Sequence, residues 1–164
     1  MSEAAEFIDA ALQREASWER ADALNSLDDG LRYYGASVGA IRGTIRDARR
    51  KFRHLTHDEV VFLSSELWGD SPVFERRLAA VVLLQSSVAL LRNTDLTRIE
   101  GFLRSSRTEL LADPLAADVV GPLIARLTGH DRLKAITVVD RWAQDQEPML
   151  RRAAEVVRQP LPPE

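Results

Sequence analysis

Apolar residues recur every three or four positions along almost the whole of this 164-residue sequence. The spacing is clearest in the segments Val38–Phe52, Val60–Leu67 and Leu78–Val82. A residue every third or fourth position lies on one face of an α-helix, so each segment can bury one apolar face. No segment alternates apolar and polar residues in the way that is typical of a strand. The sequence therefore predicts an all-α fold.

Helix-start residues and breakers divide the chain into its predicted helices. Ser37 is predicted to cap one helix, Thr56 with Glu59 has the spacing of a capping box, and Pro72 favours a helix start. Pro114 and Pro122 are expected to break the longest stretch. The predicted helices span 3–15, 18–28, 37–53, 56–68, 72–91, 95–105, 107–128, 131–144 and 147–158.

The predicted helices have short links and form pairs that repeat at a spacing of roughly 35–45 residues. This spacing is typical of a helical-repeat solenoid, and a compact helical bundle is the alternative. We expect one domain over residues 1–158. Residues 159–164 are predicted to form an extended tail, because their three prolines cannot continue a helix.

Composition excludes several classes of function. The absence of cysteine excludes disulfides, thiolate nucleophiles and cysteine zinc sites. The longest apolar run, Leu78–Leu84, is much shorter than the roughly 18 residues of a membrane span. The acidic beginning of the chain does not resemble a signal or transit peptide, so we expect a cytoplasmic protein.

Cofactor and metal motifs are also missing from the sequence. His54 and His57 have no convincing third ligand at helical spacing, and His130 is far from them in the chain, so no metal site is expected. The sequence contains neither a glycine-rich phosphate loop nor a G-x-S-x-G motif. We therefore expect neither a nucleotide cofactor nor serine hydrolysis.

Charge is distributed unevenly along the chain. The formal net charge is −3, but residues 1–30 contain eight acidic and two basic residues, so the remainder is mildly basic. The strongest basic feature is an arginine stripe at helical spacing, opposite the apolar stripe of Val38, Ile41, Ile45 and Phe52. Its members are Arg42, Arg46, Arg49 and Arg53. Because like charges repel at this spacing, we expect counter-charges, either carboxylates of a neighbouring helix or phosphates, and a solvated face is the alternative.

These residue patterns alone do not separate a nucleic-acid-binding protein from a protein scaffold, and a family resemblance adds to them. Four segments together resemble, in order, the DNA alkylation repair family of HEAT-like-repeat DNA glycosylases, the AlkD type. The segments are Tyr34-Gly35-Ala36-Ser37 followed by Ile41-Arg42; Glu66-Leu67-Trp68 followed by residues 75–80; Thr108 to Asp113 followed by Gly121; and Trp142 to Asp145 followed by residues 150–154. The resemblance implies an α-α superhelix.

The resemblance also implies an active site. Asp113 matches the aspartate that the family places beside the target deoxyribose, and Arg152 matches an arginine near the same phosphate and sugar. A carboxylate there would stabilise the oxocarbenium-like sugar when a cationic alkylpurine leaves. Glu109 and Met149 stand where the family has tryptophan. Glu109 cannot supply the cation–π contact of that tryptophan, although its charge could attract a positive sugar.

From the residues alone, the alternatives are that Asp113 is a carboxylate at a helix start or in a turn before Pro114, and that Arg152 is a solvated helix residue. Trp68 and Trp142 are predicted to be packing residues. Longer members of the family continue for several helices beyond the matching segments, one of which brings another active-site aromatic. Because this sequence lacks those helices and has Glu109 in place of a tryptophan, we expect excision to be slow.

The functional expectation is a monomeric protein that binds alkylated duplex DNA and excises 3- or 7-alkylated purines. The expected catalytic residues are Asp113, Arg152 and Glu109, and the expected DNA contacts are Arg42, Arg46, Arg49, Arg53 and Arg151. The alternative is a helical-repeat module without catalytic activity that binds DNA or a protein partner.

Overall fold

The computed structural model of this protein describes residues 1–70 and 72–159. The chain divides into two compact units, Met1–Ser87 and Val88–Glu164, which are described separately below. The prediction of one domain over residues 1–158 stays a prediction. Residues 160–164 of the predicted tail lie outside the described residues.

The first unit consists of helices packed around an apolar core. Its helices are α1 (Glu3–Arg14), α2 (Trp18–Asn25), α3 (Val38–Lys51), α4 (His57–Trp68) and α5 (Phe74–Ser86). Packing between α4 and α5, and of α3 on both α1 and α5, forms the core of this unit. Its largest fully buried side chains are Ile8, Leu12, Ile41, Ile45, Leu67 and Leu83.

The second unit begins with two short 3₁₀ segments, Val88–Leu90 and Asn93–Asp95. The α-helices that follow are α6 (Leu96–Arg104), α7 (Glu109–Pro114), α8 (Gly121–Arg126), α9 (Gly129–Ala143) and α10 (Pro148–Arg158). A π-helical segment, Leu115–Val120, joins α7 to α8. Helix α10 packs on α6, α7, α9 and the π-helical segment, and it therefore lies at the centre of this unit.

The all-α prediction is confirmed over the described residues, and the packing of consecutive helices agrees with a helical-repeat fold. Ser37 caps α3, and Thr56 with Glu59 forms the predicted capping box at α4. Among the described residues, no helix has both the length and the apolar character that a bilayer crossing requires.

The predicted helix start at Pro72 is wrong. The Pro72 carbonyl accepts a hydrogen bond from the Arg32 amide (2.8 Å), and the Phe74 amide donates to the Arg32 carbonyl (2.9 Å). These bonds form an isolated parallel bridge between Arg32 and Val73 and hold the backbone extended there. Helix α5 therefore begins at Phe74.

A buried carboxylate fixes the turn that leads into α3. Glu75, at the start of α5, is completely buried and accepts hydrogen bonds from the backbone amides of Tyr34 and Gly35, both at 2.9 Å. Gly35 has a φ of 87°, and a Cβ there would lie 2.2 Å from the Ser17 carbonyl oxygen. The turn therefore requires glycine, and it determines where the arginine-rich helix α3 begins.

We expect Gly35→Ala to lower the free energy of unfolding by about 2–4 kcal/mol, because the methyl group collides with backbone and the φ is unfavourable for alanine. Urea denaturation followed by circular dichroism measures this change. The matched control is Gly39→Ala in α3, where a Cβ would meet only the Ser37 hydroxyl at 4.0 Å. The control is expected to be neutral or to gain up to about 1 kcal/mol, and an equal loss in both variants would contradict this role of Gly35.

Candidate active site and nucleic-acid interface

Asp113 and Arg152 form a bidentate ion pair in the second unit. The Arg152 Nε donates to Asp113 Oδ1 at 2.7 Å, and Nη2 donates to Oδ2 at 2.8 Å. The two residues are 39 positions apart in sequence and meet because α10 packs against α7. Both side chains remain partly exposed. The pair therefore combines a fixed orientation with access from solvent.

Local helix geometry places Asp113 at this point. Thr108 caps α7 by accepting a hydrogen bond from the Leu110 amide at 3.2 Å, and the buried Leu111 anchors the helix. Asp113 is thus in the last turn of α7 rather than at a helix start, and the interpretation as a helix-start carboxylate is wrong.

Pro114 and Pro122 do not end the helical stretch that was predicted over residues 107–128. The backbone continues past Pro114 through the wider π-helical turn into α8, and Pro122 lies in the first turn of α8. A wider turn accommodates a residue that lacks an amide hydrogen and disfavours the ordinary α-helical register. The predicted breaks at Pro114 and Pro122 are therefore changes of hydrogen-bond register within a continuous helical run.

Glu109 is the second carboxylate at Arg152. It is the first residue of α7, one turn before Asp113, and its Oε2 lies 3.4 Å from Arg152 Nη2. The hydrogen bonds with Asp113, followed by the charges of Asp113, Glu109 and Glu155, raise the pKa of Arg152, so the guanidinium stays protonated. Arg152 is thus a partly exposed helix residue that is also paired with two carboxylates.

The neighbouring predicted residues have structural partners. The Arg151 Nη1 donates to the carbonyls of Asp145 (2.8 Å) and Gln146 (2.9 Å), which stabilises the turn before α10. Met149 is partly buried in the first turn of α10. The predicted contact of Arg151 with DNA stays a prediction.

Both tryptophans that were predicted to be packing residues are buried. Trp142 is fully buried, and its Nε1 donates to Glu100 Oε1 at 2.6 Å. Trp68 is also buried, and the guanidinium of Arg77 lies 4.9 Å from its ring centre. The packing prediction is confirmed for both.

In the first unit, the arginine stripe borders a groove between α3 and α5. The groove has a volume of about 670 Å³. Its lining residues are Arg42, Ile45, Arg46, Arg49 and Arg50 on the α3 side and Val82, Gln85 and Ser86 on the α5 side. Nη1 of Arg49 donates to the hydroxyl groups of Ser87 at 2.7 Å and Ser86 at 3.3 Å, which fixes this arginine at the edge of the groove.

The details of the stripe differ from the prediction. Helix α3 ends at Lys51, so Arg53 leaves the helical face, and its Nε donates to the Arg50 carbonyl. Arg50 replaces it in the groove; its position four residues after Arg46 was the sequence signal for this face, and the prediction missed it. Val38 is exposed rather than part of the apolar face.

The counter-charges of the stripe are not carboxylates of the described residues. Within residues 1–70 and 72–159, none of Arg42, Arg46, Arg49 and Arg50 forms an ion pair. The alternative of pairing with a neighbouring helix is therefore wrong, and a solvated or phosphate-binding face remains.

The histidines lie apart from both features. The ring nitrogen Nδ1 of His57 is 2.8 Å from Asp58 Oδ1 at the start of α4, whereas His54 precedes that helix and His130 is in α9. In the part of the chain that the structure describes, no three histidine, aspartate or glutamate side chains are grouped in a way that could hold a metal ion.

Comparison with known proteins identifies the family. The family model of DNA alkylation repair enzymes matches residues 8–160. The chain belongs to this family. No curated protein matches the chain. The matched residues include those of the arginine-lined groove and the Asp113–Arg152 pair. Membership in this family indicates a role in DNA alkylation repair, with DNA as the substrate.

We expect Asp113→Asn to change the thermal midpoint by less than about 3 °C, because a partly exposed ion pair contributes little to stability. Trp142→Ala is the contrasting variant, since it empties a fully buried site and should cost about 3–5 kcal/mol. Calorimetry of both variants tests this. A large loss of stability in Asp113→Asn would instead assign the ion pair a structural role.

Proposed function

We propose that this DNA alkylation repair protein binds alkylated duplex DNA and releases 3- or 7-alkylated purines by hydrolysis of the N-glycosidic bond. The observation that supports this activity best is the Asp113–Arg152 pair with Glu109 beside it, in a chain of this family. The sequence-based expectations of a monomer, a cytoplasmic location and no cofactor or metal belong to the same proposal.

The chemistry requires little acid catalysis. Alkylation at N3 or N7 makes the purine cationic, so the bond from C1′ to the base breaks with its electron pair moving to the purine, which leaves neutral. Positive charge develops on the sugar, and a water oxygen then bonds to C1′ and loses a proton. A fixed carboxylate close to the sugar stabilises that charge and orients the water. Asp113 has this role in the proposal.

Arg152 orients Asp113 and keeps one hydrogen-bond donor that can contact DNA. Its Nε and Nη2 are engaged by Asp113, whereas Nη1 makes no hydrogen bond among the described residues. A guanidinium with a free donor can bind a phosphate oxygen of the backbone. In the proposal, Arg152 thereby links the position of Asp113 to the position of the target nucleotide.

The groove between α3 and α5 is the proposed backbone contact of the first unit. Four arginines border it without ion-pair partners among the described residues, and Gln85 and Ser86 add neutral hydrogen-bonding groups on its other side. Arginines that neutralise phosphates release counterions, so binding weakens as salt rises.

We expect Arg42→Glu with Arg46→Glu to weaken duplex binding and to reduce the slope of log K against log salt by about 2 or more. Fluorescence anisotropy titrations between low and moderate salt measure this slope. The matched control is Arg14→Glu with Arg20→Glu, which makes the same change of net charge in the same unit at exposed positions outside the groove. Equal losses in the two double variants would contradict the groove as the contact.

We expect Asp113→Asn to slow single-turnover release of 7-methylguanine from a duplex by about 30- to 1000-fold, because asparagine keeps the shape of aspartate but loses its charge. The control is Asp140→Asn, which changes another arginine-paired aspartate of the second unit, the partner of Arg158, and should leave the rate within about twofold.

Two outcomes contradict the role of Asp113: equal rates in Asp113→Asn and the wild type, and an equal loss in both variants. An absence of base release by the wild type above background contradicts the glycosylase proposal itself. If the wild type still binds duplex DNA without releasing base, a non-catalytic DNA-binding module becomes the better account.

A further inference from the structure

The two carboxylates at Arg152 differ in how many hydrogen bonds their oxygens accept. Each Asp113 oxygen accepts its own hydrogen bond from the guanidinium. Glu109 contacts Arg152 only through Oε2, at 3.4 Å, and its other oxygen accepts no hydrogen bond from the described residues. The Glu109 side chain is 58% exposed. Glu109 is thus the carboxylate that remains open to a ligand.

The cluster of Arg152 and the carboxylates around it also has an excess of negative charge. One guanidinium faces the carboxylates of Asp113 and Glu109, and the charge of Glu155 acts on the same guanidinium. Arg152 therefore neutralises only part of the negative charge around it. A positively charged ligand beside Glu109 would compensate the excess.

We infer that Glu109 is a specificity-determining residue, whose open carboxylate makes the site prefer a nucleobase with a fixed positive charge over a neutral base of the same shape. The inference rests on the proposed function, since it takes the Asp113–Arg152 pair as the substrate site. Glu109 lies one turn before Asp113 on α7, so a ligand at Asp113 is within reach of both carboxylates.

A binding experiment that requires no catalysis tests this role. Two duplexes are compared by anisotropy, one with 2′-fluoro-7-methyl-deoxyguanosine, which is cationic and resists cleavage, and one with its 7-deaza counterpart, which is a neutral isostere. We expect the wild type to bind the cationic duplex about 2- to 5-fold more tightly, the range for one additional charge contact at a largely exposed site.

Three variants identify the source of the preference. Glu109→Gln keeps the size of the side chain and should abolish most of the preference, while Glu109→Asp should retain part of it. Glu155→Gln removes a charge that acts on Arg152 from α10 and should leave most of the preference intact. Each variant is checked for an unchanged circular dichroism spectrum.

The inference is overturned if the wild type binds both duplexes equally, if Glu109→Gln keeps the full preference, or if Glu155→Gln loses as much as Glu109→Gln. These results are independent of base release, which tests the proposed function. A charge preference that depends on Glu109, without base release, supports the inference and contradicts the proposed glycosylase activity. Base release without a charge preference supports the glycosylase activity and contradicts the inference.

Discussion

Burial of apolar side chains between packed helices is the constraint on which the rest of this structure depends. The faces of α3 and α5 meet in the first unit, and α10 contacts most of the helices of the second. With 29% of its residues charged, the chain leaves many ionisable side chains on the opposite faces. The helix packing therefore decides which charges become neighbours, and both candidate functional features arise at such junctions.

The groove and the Asp113–Arg152 site have an excess of opposite charges. In the groove, arginines of one helix lie together without carboxylate partners among the described residues, and only Arg49 is fixed, by two serine hydroxyls. At the second feature, carboxylates outnumber the guanidinium that they surround. A positive groove suits the phosphates of DNA, whereas a negative site suits a cationic base and the sugar cation that forms when the base leaves.

Sequence patterns predicted much of this arrangement, and their errors have identifiable causes. The helical spacing, the caps at Ser37 and Thr56 and the family resemblance were local signals, and the structure and the family match confirm them. The helix start at Pro72 was wrong because Arg32, which is distant in sequence, pairs with that backbone. Arg53 was placed in the stripe because the end of α3 at Lys51 has no strong sequence signal.

The sequence by itself determined which residue types are present and which helix faces are apolar, because these depend on composition and on the 3.6-residue repeat. Only the tertiary structure decided that Arg152 binds both oxygens of Asp113, that Glu109 keeps an open oxygen, and that α5 completes the groove. Such contacts join residues far apart in the chain. Their distances follow from how whole helices pack, which no local pattern of residues specifies.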